Sequence, residues 1–73
     1  MPKLYSARQI IKAFQRIGFE IISQKGSHIK LRRTFSGEVF SPIIPNHKEV
    51  ALGTMKSILK QAGIGREELE ENI

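Results

Sequence analysis

At 73 residues and without cysteine, the chain has length for one domain, spanning residues 1–73, and excludes a disulfide framework, a thiolate metal site and a cysteine nucleophile. No apolar run nears the roughly 18 residues that cross a bilayer, and no signal-peptide pattern opens the chain, so no membrane partner and a cytoplasmic location are expected. The net charge of +5 is uneven: residues 1–60 carry eleven Lys/Arg against three Asp/Glu, and residues 61–73 carry one against four, a basic body with an acidic tail that points to a polyanionic partner.

The first expected element is a helix over Ala7–Ile17. Ser6 and Gln9 have the spacing of a capping box, and Tyr5 and Ile10 that of a hydrophobic staple. Ile10, Ile11, Phe14 and Ile17 form an apolar face, and Gly18 is positioned to end the helix in a left-handed turn. Phe19–Gln24 is rich in strand formers, and Lys25-Gly26-Ser27 reads as a turn. His28–Phe35 alternates as a strand, Ser36-Gly37 is a hairpin signal, and Glu38–Ile44 pairs back, with Pro42 marking an edge or a bulge.

A two-residue loop at Ser36-Gly37 sets Phe35 opposite Glu38 and Arg33 opposite Phe40. In that register Ile29, Leu31, Phe40 and Ile44 face inward, while His28, Lys30, Arg32, Val39, Ser41 and Ile43 face outward. Pro45–Lys48 is a loop. A second helix is expected over Gly53–Ala62 on an apolar stripe of Met55, Ile58, Leu59 and Ala62, stopped by Gly63, with a last helical turn at Arg66–Glu70. The fold class is α+β, an α-β-β-β-α order in which both helices cover one face of a three-stranded antiparallel sheet.

The open face carries the candidate chemistry. On the strand's two-residue period His28 stands beside Lys30 and Arg32, and Lys25 and Ser27 precede it in the turn. Arg8, Lys12 and Arg16 form a cationic stripe on the first helix, and Lys56 and Lys60 repeat its four-residue spacing on the second. Exposed helix faces are often cationic for solubility alone; few carboxylates interrupt these, which favours a polyanion. The arrangement is similar to that with which double-stranded-RNA-binding domains grip an A-form duplex.

RNA supplies its own nucleophile, the 2′-hydroxyl beside each phosphodiester. Cleavage then needs a base, an acid and cations for the developing charge, and no metal or cofactor. Histidine can act as base or acid near neutral pH. His28 is the candidate for one of these roles, Lys30 and Arg32 for holding the phosphate, and Ser27 for orienting the imidazole or bonding to the substrate. His47 is either structural, a phosphate contact, or the second imidazole of an acid–base pair. No cluster of metal-ligand residues is evident.

Arg16-Ile17-Gly18-Phe19, Gly26-Ser27-His28-Ile29-Lys30, Ile44-Pro45-Asn46-His47 and Gly53-Thr54-Met55-Lys56-Ser57-Ile58-Leu59-Lys60-Gln61-Ala62-Gly63-Ile64 occur in an order that resembles the HicA toxins of toxin–antitoxin modules, over nearly the whole chain. The resemblance implies a double-stranded-RNA-binding-like fold and endoribonuclease activity on messenger RNA, with the family's catalytic histidine at His28. It also implies silencing by a HicB-type antitoxin, with DNA met only through the antitoxin complex. Outward Val39 and Ile43 suit an antitoxin interface better than an RNA surface. The rival readings are a non-catalytic RNA-binding module and a DNA-binding subunit, the latter lacking a helix-turn-helix pattern.

Overall fold

The computed structural model describes residues 3–73, so the first two residues of the expected domain lie outside it. The first helix spans Ala7–Ile17 (α1), as its caps predict. Gln9 donates its backbone N–H to the Ser6 hydroxyl, and the Gln9 side chain accepts from the Ser6 N–H at 2.9 Å, closing the capping box. Gly18 ends the helix at a φ of 124°. That value lies beyond the left-handed helical well expected there, and the Phe19 N–H reaches back to the Phe14 carbonyl at 2.9 Å.

Four strands follow: β1 (Glu20–Lys25), β2 (His28–Phe35), β3 (Glu38–Phe40) and β4 (Ile43–Pro45). β2 is central, paired antiparallel with β1 on one side and with β3 and β4 on the other. Lys25 pairs with His28, so the first turn is the two residues Gly26-Ser27 and Lys25 belongs to the strand. The third expected strand is interrupted because Pro42 has no N–H to give the ladder. Its register survives the interruption: Arg33 lies opposite Phe40 and Lys30 opposite Ile43, with no residue gained or lost between them. β3 and β4 are two lengths of one row, giving the α+β arrangement of an open three-row antiparallel sheet flanked by helices.

That shared register fixes the two faces. Ile29, Leu31, Pro42 and Ile44 are buried and Phe40 is partly so, while His28, Arg32, Val39 and Ile43 are exposed on the other side. α2 (Leu52–Ala62) and α3 (Arg66–Glu71) complete the chain. Met55, Ile58, Leu59 and Ala62 of α2 join Ile10, Phe14, Ile29, Leu31 and Ile44 in one apolar cluster, which sets both long helices on the same face of the sheet. Ala7, Ala13 and Ala62 are fully buried, and their small side chains let the helices sit close to the strands. The Ile43 N–H donates to Gln61 Oε1 at 3.0 Å, tying β4 to α2.

The N-terminal segment and α3 close the structure. Buried Tyr5 donates its hydroxyl to Glu70 Oε2 at 2.8 Å, and Arg66 Nε donates to the same oxygen at 3.1 Å. Arg66 also donates to the Lys3 carbonyl at 2.7 Å. β1 is less protected. All six of its residues are exposed, and its pairing shifts by one residue between Ile21 and Ser23.

Candidate functional site on the open sheet face

Gly26, at a φ of +58°, gives the hairpin the tight reversal that puts Lys25 and His28 directly across from one another. Both stand on the face away from the core: His28 is one step out of phase with buried Ile29, and Lys25 lies directly across the ladder from His28. Lys30 follows on the same face of β2, flanked by Ser23 of β1 and Ile43 of β4. Ser23, Lys25, His28, Lys30 and Ile43 together line an open depression of ≈330 Å³. An exposed histidine there shares the depression with two lysines, with no acidic residue in the lining.

Sequence reasoning identifies Lys25, His28 and Lys30 and misses Ser23. The missing signal is the shift after Ile21, which changes the face on which the following residues of β1 stand. Ser27 occupies the turn rather than the depression, and its carbonyl accepts the Asn46 N–H at 2.6 Å. Arg32 shares the face of His28 but lines a separate depression with Glu20, Ile22 and Thr34. Glu20 stands opposite it in the ladder, a carboxylate that competes with any phosphate for the guanidinium.

The helical cations lie elsewhere. Arg8, Lys12 and Arg16 and also Lys56 and Lys60 occupy exposed helix positions. Because both helices pack on the inner face of the sheet, the solvent faces that carry Lys12, Arg16, Lys56 and Lys60 look away from His28, whereas Arg8, in the first turn of α1, lies against the loop after β4. Arg16 donates to the Asn72 carbonyl at 2.6 Å and so ties α1 to the end of α3. Lys56 borders an apolar groove between α2 and α3 with Leu52, Met55, Leu59 and Arg66. Lys60 is in the last turn of α2, where its charge complements the helix dipole. His47 lies in the loop after β4, with Arg8, Lys48, Ser6 and Asn46, and not in the His28 depression.

Arg33 is structural. It faces inward, with its guanidinium carbon 4.9 Å from the Phe19 ring centre and 4.6 Å from that of Phe35, and it donates to the Ile17 carbonyl at 3.3 Å. Among the described residues no three His, Asp or Glu side chains gather in a way that could hold a metal ion. No helix among them is long and apolar enough to cross a membrane.

Histidine and lysine are residue types suited to meeting an anion and to general acid–base chemistry. A family model described as the HicA toxin of bacterial toxin–antitoxin matches residues 7–64, from the start of α1 to just beyond α2. No curated protein matches the chain.

Proposed function

The chain belongs to the HicA toxin family and is a toxin of a toxin–antitoxin system, and from that premise we propose that it is a metal-independent endoribonuclease acting on messenger RNA through His28. The observation that carries this reading is exposed His28 sharing one depression with Lys25 and Lys30. The 2′-oxygen of the substrate attacks the adjacent phosphorus, and the bond from phosphorus to the 5′-oxygen breaks. The products are a 2′,3′-cyclic phosphate and a 5′-hydroxyl. His28 either takes the 2′-hydroxyl proton or supplies one to the departing 5′-oxygen, a role worth roughly 10²–10⁴ in rate. Lys25 and Lys30 stabilise the charge that gathers on the non-bridging oxygens. The partner that silences the toxin is a HicB-type antitoxin.

A single 2′-deoxy substitution at the scissile nucleotide tests the chemistry. Cleavage there is expected to stop while binding continues, and cleavage of all-ribose RNA is expected to survive excess EDTA. Cutting of the substituted RNA at the same bond, or loss of activity reversed only by a divalent ion, contradicts the mechanism.

A further inference from the structure

A second basic depression, of ≈380 Å³, is lined by Ser6, Arg8, Asn46, His47 and Lys48. The connections of the chain put it beside the first. His28 stands opposite Pro45 in the ladder of β2 and β4. The Asn46 N–H donates to the Ser27 carbonyl at 2.6 Å, and the Ala7 N–H donates to the His47 carbonyl at 2.9 Å. The loop after β4 thus leads from the His28 end of the sheet to the start of α1. Two residues of chain reach at most about 7 Å and a cross-ladder step is about 5 Å, so the Cα atoms of His28 and His47 are no more than about 12 Å apart. A few nucleotides of RNA backbone cross that span.

Two amides beside this depression already have partners, since Ala7 donates to His47 and Gln9 to Ser6. Its side chains are what it offers an anion: a guanidinium, an ammonium and an imidazole, with no carboxylate in the lining. Arg8 and Lys48 are both exposed, and among the described residues neither makes an ion pair. A phosphodiester leaving the His28 depression along the loop meets these cations next.

We infer that Arg8, His47 and Lys48 form a second phosphate subsite, which holds the same RNA strand a few nucleotides from the bond at His28. The inference rests on the RNA reading of the His28 depression and adds to it a requirement for substrate length. The subsite binds and does not react.

Binding of 2′-O-methyl RNA, which lacks the nucleophile, tests it without any need for cleavage. A trinucleotide and an octanucleotide are titrated by fluorescence anisotropy across a salt series, with the parent protein and with the Arg8→Ala/Lys48→Ala double variant. The double variant is expected to bind the octanucleotide about tenfold more weakly and to lose about 1.4 from its log–log salt slope, roughly 0.7 for each of two phosphate contacts. The trinucleotide is expected to bind both proteins alike. Equal weakening for both lengths, or for neither, overturns the subsite. A parent protein that shows the expected length and salt dependence yet cuts no all-ribose RNA supports the subsite and sinks the nuclease reading instead.

Discussion

Gly63 ends α2 at a φ of +70°, and a β-carbon placed on it would lie 2.5 Å from Cε1 of Phe40. Two constraints meet at this residue, one from the backbone and one from the ring above it. Gly63→Ala is expected to cost about 2 kcal/mol or more, from the left-handed backbone and the overpacked contact together. Thermal denaturation of the variant, and of the same variant with Phe40→Leu, separates the parts: the smaller side chain should recover the contact cost and leave the backbone cost. A stop at Gly63 is legible in the sequence, because glycine follows the last apolar residue of a helical stripe. The approach of Phe40 is not, since it depends on how α2 crosses the sheet. His28 is similar. Its outward direction follows from alternation with Ile29 and Leu31, whereas its company depends on the pairing of β1. Arg16 shows the limit of reading cations by spacing, for it is engaged with the Asn72 carbonyl, distant in the chain.

At the scale of elements, local signals carry far. The capping box of α1, the glycine-containing turns and the alternation of β2 each act within a few residues, so the sequence displays them directly. The register of β2 against β3 and β4 follows from the two-residue turn at Ser36-Gly37, and Pro42 removes a hydrogen bond without adding a residue. The shift in β1 is hidden because Ile21 and Ile22 are adjacent apolar residues, and neither parity marks the inner face. The open face that results is mixed in character. Val39 is 61% exposed and Ile43 42%, and Ile43 borders the His28 depression. Apolar side chains in that position give little to RNA and suit the dry centre of a protein interface. Val39→Asp is expected to weaken antitoxin affinity about tenfold while leaving RNA affinity within twofold, a difference on the scale of one interface side chain. Titrating the variant with antitoxin and with RNA checks both halves. Unchanged antitoxin affinity would remove this face from the interface.

The whole molecule is closed by contacts between its two ends. The hydrogen bond from Tyr5, and next that from Arg66, hold the Glu70 carboxyl below the ordinary carboxylate range. The same hydrogen bond and the burial of Tyr5 raise the phenol above its ordinary value, against the opposing charge of Arg66. A carboxylate favoured by folding stabilises the fold above its unfolded pKa, and that contribution is lost as pH falls through the lower folded value. Acidification below the ordinary glutamate range near ~4.3 should therefore loosen α3 from Tyr5. Glu70→Gln is expected to have a lower melting temperature than the parent at neutral pH and to converge with it in acid. A constant difference across that range would show that Glu70 does not contribute through its charge. The closure uses one of the four carboxylates, Glu70, that set residues 61–73 apart from the basic body.

Two sides emerge from this architecture. The helical side carries most of the cations that spacing marks out, and the open sheet side carries the imidazole with Lys25, Lys30 and Arg32. Single-turnover cleavage of labelled RNA at saturating protein, comparing the parent with a His28→Ala variant of unchanged melting temperature and RNA affinity, tests the account most directly. The expected result is a rate lower by at least about 10²-fold, the scale of a lost general acid or base. A variant that cuts RNA at the parental rate would contradict the assignment of catalysis to the open face.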